Sequence, residues 1–120
     1  MIPDYVILDA QMIAKLPKSI VAATGVDALA HVVECYTSKK ATPFSDPYAV
    51  EGAKLIFRNI REAYNNPDNM EAKNNMLLGA YYGGIAITGS GTTAVHALSY
   101  PLAANSILHT VFPTQSCLLT

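Results

Sequence analysis

The 120-residue chain has no tryptophan, only two cysteines and few charges, with 14% of its residues Asp, Glu, Lys or Arg. Each shortage excludes something. Cys35 and Cys117 form neither a CxxC pair nor a disulfide framework. That rules out a cysteine-rich zinc site and fits a reducing, cytoplasmic compartment. There is no unbroken apolar run of about 18 residues, so no membrane span is expected. The opening "MIPDYVILDA" lacks the basic start and long apolar stretch of a signal peptide. The formal net charge is −1 and the basic residues form no stripe, which argues against nucleic acid as a partner. The spacings GxGxxG and GxxxxGK are also missing. "TGSGTT" at 88–93 therefore reads as a turn and not as a phosphate cradle.

What is present is largely apolar. Hydrophobic residues make up 51% of the chain, a globular and core-rich composition. "YVILDA" (5–10) is a short β-branched run and reads as a buried strand. Pro17 suits the first turn of a helix. Gly25 reads as a break or kink, with a second helix from about Val26 to Tyr36. A further helix begins at 45, with Ser45 as N-cap and Asp46 and Pro47 in the first turn. Its apolar stripe is Ala49, Ala53, Ile56, Phe57, Ile60 and Tyr64. "NNPDN" (65–69) is a turn cluster. The next helix runs from about Met70 to Ile87 and buries Leu77, Leu78, Tyr81, Tyr82 and Ile85. Gly79 and Gly83 have the spacing of close helix–helix packing. "AVHALSY" is the last helix. The fold class is mainly α, a portion of a helical bundle with one short amino-terminal strand.

Two polar residues stand out in "GVDALAHVVE" (25–34). Asp27 and His31 are four apart in an apolar stretch, so on a helix they share one face. Such a pair is either a satisfied polar contact or half of a metal site. His96 is a further imidazole on an apolar helix. Carboxylate and imidazole ligands from neighbouring helices are a common way to build a metal centre in a helical core, suited to iron(II), zinc or manganese.

"PKSIVAATGVDALAHVVECYTS", "PFSDPYAVEGAKLIFRNI" and "GTTAVHALSYPL" together closely resemble the iron-containing alcohol dehydrogenases, from about Ile2 to Leu102. The GxDAxxHxxE and VHALxxPL blocks are the most specific parts. The resemblance implies an amino-terminal dinucleotide-binding α/β domain and a helical metal-binding domain, with one aspartate and three histidines holding a divalent metal. Asp27, His31 and His96 fall on three of these ligands. Glu34, one turn after His31, is placed to back the histidine. The implied reaction is NAD- or NADP-linked interconversion of a primary alcohol or diol with its aldehyde or ketone. The metal, Fe2+ or Zn2+, polarises the oxygen for hydride transfer to or from the cofactor. The full-length enzyme is expected to be a homo-oligomer. Residues 1–16 correspond to a remnant of the α/β domain and 17–102 to part of the helical domain. No residue of the chain is assigned to the cofactor. On its own the chain is expected to be inactive, to bind metal weakly and to aggregate.

The resemblance breaks in two places. Many members carry a histidine four residues after the one matched by His96, where this chain has Tyr100. After "SYPL" the family continues with a glycine-rich turn and an HxxHG element that supplies the last ligand. This chain reads "AANSILHTVFPTQSCLLT" instead. Codons for Ala103–Leu118 can be chosen so that one extra G ahead of them yields Gly-Gly-Lys-Phe-His-Ile-Ala-His-Gly, the stretch the family places there. Residues 103–120 therefore read as an out-of-frame tail. On that account His109, thirteen residues after His96, is a bystander; with a genuine tail it is a candidate fourth ligand. Two other functions stand beside the leading one. They are a glycerol-dehydrogenase-type polyol oxidoreductase and a non-catalytic helical module in which Asp27, His31 and His96 are buried polar residues.

Overall fold

The computed structural model describes residues 3–91, 93 and 96–101. A 3-10 helix at Ala10–Ile13 is followed by three long helices: α1 (Lys18–Thr37), α2 (Ser45–Asn65) and α3 (Met70–Ser90). Each is about 30 Å long at 1.5 Å per residue. Residues 96–101 are also helical. The mainly α class holds, but the strand expected over 5–10 does not form. Residues 5–9 have no regular structure, and Tyr5 and Ile7 are 92% and 91% exposed. A strand needs a neighbour to complete its ladder of hydrogen bonds, and the described residues include none. Asp9 caps the 3-10 helix instead, its Oδ1 accepting from the Gln11 N–H at 2.8 Å.

Gly25 does not divide α1. A single helix runs through it, and the glycine is buried. A Cβ at 25 would lie 2.8 Å from Ile60 Cδ1 and 3.0 Å from Met76 Cε. The missing side chain thus serves close approach to α2 and α3, and that packing outweighs glycine's poor helix propensity of about 1 kcal/mol. Val32 plays the converse part. It is fully buried, and its Cγ1 fills the space over both Gly52 of α2 and Gly83 of α3.

α2 begins at Ser45, as expected, but the hydrogen bonds there differ from those expected. Ser45 is not the cap. Its N–H donates to Thr42 Oγ1 at 3.1 Å, and its Oγ accepts from the Thr42 N–H at 2.9 Å. Thr42 and Ser45 thus satisfy one another reciprocally, in the manner of a capping box, across the turn that leads into α2, while Phe44 stands at the cap. The buried arc also differs from the expected stripe. Ala49 and Ile56 are buried, but so are Gly52 and Ala63, while Phe57 is 73% exposed and Tyr64 41%. Gly52 lies against the Gly79 carbonyl of α3, and a Cβ there would approach it to 3.0 Å. Small residues bring the helix axes together, so the contact face rotates toward them and the large side chains fall to the flanks.

The same logic governs α3. Gly79 and Gly83 are fully buried at the α1 and α2 contacts, as their spacing suggests. Leu77, Leu78, Tyr82 and Ile85 are only partly buried, and Tyr81 is exposed. The helix runs on to Ser90, and the turn expected from residue 88 begins at Gly91, whose φ of 69° favours glycine. At the other end, Asn69 caps α3 by accepting from the Ala72 N–H at 3.0 Å. Asn66 and Asn69 both donate to Glu62, which holds that carboxyl below its ordinary range. Lys73 is buried, and its Nζ donates to the carbonyls of Ile13 and Ala14, fastening the amino-terminal segment to α3.

Candidate metal centre

α1 carries the first two candidate ligands. Helical spacing puts His31 one turn above Asp27, both partly buried. The His31 Nδ1 lies 2.8 Å from the Asp27 backbone carbonyl. A carbonyl can only accept, so Nδ1 carries the proton and Nε2 keeps its lone pair. The Asp27 carboxylate lies beside the ring, with Oδ2 3.6 Å from Nδ1.

His96 arrives from 65 residues further along, on the helix that follows Gly91. It is buried, and its ring centroid sits 4.1 Å from that of His31. Its Nδ1–H donates to Glu34 Oε2 at 2.8 Å. Its Nε2 is buried, has no hydrogen-bond partner among the described residues, and lies 3.8 Å from Asp27 Oδ1. One donor atom from each of Asp27, His31 and His96 lies within 4.8 Å of the other two. A dication held at about 2.1 Å by tetrahedral ligands separates them by roughly 3.4 Å. The three residues fit a divalent ion with small side-chain adjustments: one anionic oxygen and two imidazole nitrogens, both with Nδ1 engaged by the protein.

Glu34 is present at the site, but its partner is not the one that proximity along the chain suggests. It backs His96 and not His31, accepting also from the backbone N–H of Thr93 at 2.9 Å and of His96 at 3.3 Å. Nothing in the sequence signals this pairing across 62 positions. Next to it, burial pushes the Cys35 thiol pKa up; a hydrogen bond with Ser90 opposes this, and the Glu34 charge adds a lesser upward push. Tyr100 lies edge-on to His96, with ring centroids 6.4 Å apart. His109 and the rest of the expected tail lie outside the described residues.

One carboxylate and two imidazoles from α1 and the 96–101 helix thus meet in a helical domain, in an arrangement that could hold a metal ion. Comparison with known proteins names the family. Residues 21–113 match the model of the Fe-containing alcohol dehydrogenase family, C-terminal. That match ends eleven positions into the segment read as an out-of-frame tail. The long-chain-alcohol dehydrogenase 1 of Geobacillus thermodenitrificans is 42% identical over 102 residues, covering 85% of this chain and 26% of that protein. The crystal structure of an iron-containing alcohol dehydrogenase from Thermotoga maritima superposes with a TM-score of 0.87 at 38% identity, covering 95% of this chain and 31% of that one. A sulfoacetaldehyde reductase from Bifidobacterium kashiwanohense, solved with NAD+, gives 0.82 at 32% identity, over 88% of this chain and 28% of that one. The chain belongs to the iron-containing alcohol dehydrogenase family. It spans about a quarter of the length of the curated relatives it matches.

Proposed function

We propose that this chain is the metal-holding part of an alcohol dehydrogenase that interconverts a primary alcohol or diol with its aldehyde or ketone, using NAD or NADP. Asp27, His31 and His96 would hold Fe2+ or Zn2+. The observation that carries this reading is the buried, unpartnered Nε2 of His96 facing the Asp27 carboxylate. A buried polar atom without a partner costs about 1–3 kcal/mol, and coordination of a cation removes that cost. When bound, the metal lowers the pKa of an alcohol hydroxyl and, in the reverse direction, polarises a carbonyl. Asp27 supplies the negative charge that offsets a dication. The two helices fix the donors against one another, which sets where a substrate oxygen sits relative to the cofactor. The NAD+ complex of the Bifidobacterium relative supports a nicotinamide partner for the longer protein. Residues 1–16 would belong to the cofactor domain and 17–102 to the helical domain. The chain alone would be inactive, with three candidate ligands among its described residues where the resemblance implies four.

Equilibrium dialysis of the 120-residue chain against Zn2+ or Fe2+, followed by metal counting, tests the proposal. The expected result is weak uptake of one ion per chain, abolished by Asp27→Ala with helicity by circular dichroism unchanged. Equal uptake by the variant removes the site. Loss of helicity in the variant together with no uptake by the parent chain favours a non-catalytic module with a buried polar cluster.

A further inference from the structure

We infer that Glu34 is the positioning residue of this centre: one buried carboxylate both seats the chain segment that carries His96 and decides which ring nitrogen of His96 faces the metal. This rests on the metal-site reading above for its purpose, though not for its geometry.

The argument begins with donors and acceptors. Glu34 is 3% exposed and lies on α1 one turn beyond His31. Its two oxygens meet the Thr93 N–H at 2.9 Å, the His96 N–H at 3.3 Å and the His96 Nδ1–H at 2.8 Å. All three are donors, and an ionised carboxylate is acceptor only, with room for about four such bonds. One of the backbone N–H groups belongs to Thr93 and the other to His96, the first described residue of the 96–101 helix. The His96 N–H is buried and would be unsatisfied without Glu34, so the carboxylate ties Thr93 and His96 to α1. The same carboxylate accepts from the ring. Nδ1 must therefore carry a proton, which in the neutral ring leaves the Nε2 lone pair turned toward Asp27. Seating of the segment and readiness of the ligand are thus one event, completed before any metal arrives. His31 reaches the same state by a different route, through its own helix carbonyl.

Oε2 serves both the Thr93 N–H and the His96 ring, while Oε1 serves the His96 N–H. Glutamine could keep its oxygen at the Oε2 position and leave the ring unchanged, so the informative variant removes every acceptor. With alanine at 34, Nδ1–H has no partner, and the ring is free to take the Nε2–H form that a neutral histidine prefers in water. That form blocks the nitrogen that would ligate. A merely structural carboxylate would leave the ring tautomer unchanged.

The test is 15N NMR of the imidazole nitrogens in the metal-free 120-residue chain, in mildly alkaline buffer, with Zn2+ affinity measured beside it. In the parent chain His96 is expected as the Nδ1–H form. Glu34→Ala is expected to shift it to Nε2–H and weaken Zn2+ binding by about 10- to 100-fold, with far-UV circular dichroism retained. An Nε2–H ring in the parent chain overturns the inference even if the variant does not fold. So does a Glu34→Ala chain that keeps both the Nδ1–H form and the parent affinity. An Nδ1–H parent that takes up no Zn2+ leaves the role of Glu34 standing and removes the metal reading instead.

Discussion

At the scale of single residues, the site depends on how a few polar groups are matched inside an apolar shell. His96 Nδ1 has Glu34, His31 Nδ1 has a backbone carbonyl, and His96 Nε2 has no hydrogen-bond partner among the described residues. Cys35 shows what the same surroundings do to a group outside the cluster. Burial is the main reason its thiol pKa is raised, and the neighbouring Glu34 charge adds to it. A folded-state pKa above the unfolded value gives stability that is complete below the unfolded pKa and lost as pH rises toward the folded one. The unfolded thiol titrates near its ordinary value of 9.0. Urea midpoints are therefore expected to fall as pH rises past about 9, with Cys35→Ala reducing that slope. Alkylation at position 35, mapped by mass spectrometry, is expected to be slow in the folded chain and fast in urea. Rapid native alkylation would contradict the burial.

At the scale of elements, glycine placement governs how closely the helices approach. A Cβ on Gly79 would stand 2.7 Å from Ile56 Cγ1, 3.2 Å from the Gly52 carbonyl and 3.3 Å from Leu55 Cβ. One of these is backbone and cannot move aside cheaply. Gly79→Ala is expected to cost about 1–3 kcal/mol through overpacking. Gly84, five residues on, has nothing within 4 Å of its Cβ position and sits on the exposed side. Gly84→Ala is expected to add about 0.4–1 kcal/mol by lowering the entropy of the unfolded chain. Chemical denaturation of the two variants checks both signs, and equal effects would mean that the α2–α3 contact is looser than described. The Gly79/Gly83 spacing was readable along the chain. That Gly25 and Gly52 do the same work on α1 and α2 was not, because each has its counterpart on another helix.

At the scale of the whole molecule, much apolar surface is left open. Met12, Phe57 and Leu98 are 83%, 73% and 61% exposed, and Leu29, Val33, Ala53 and Phe57 line an apolar groove between α1 and α2. Surfaces of this kind promote association, and the chain covers about a quarter of its curated relatives. Sequencing the source DNA through codons 95–120 addresses the last ligand. The expected finding is one missing base near codon 103, with Gly-Gly-Lys-Phe-His-Ile-Ala-His-Gly in the restored frame. A chain made from that frame is then expected to bind Zn2+ more tightly than the present one. An intact frame would overturn the tail reading and return His109 to candidacy as a ligand.

The sequence by itself determined the helical class, the family and the identity of the three residues that meet. Helical periodicity, the Asp27/His31 spacing and the GxDAxxHxxE and VHALxxPL blocks are local signals, carried by neighbours along the chain. Ser45 and Phe57 mark the limit of local reading. Ser45 has the chemistry of a cap, yet it is the first residue of α2 and is bonded reciprocally to Thr42 in the turn before it. Phe57 sits on an apolar stripe, yet small residues draw the helices together on another face. Only the tertiary structure decided these matters, along with the loss of the 5–10 strand, which has no pairing partner among the described residues. It alone brought Glu34 to His96. The reason is common to all of them: hydrogen-bond partners and close contacts across helices are chosen by which groups packing leaves facing one another, and separation along the chain does not encode that choice.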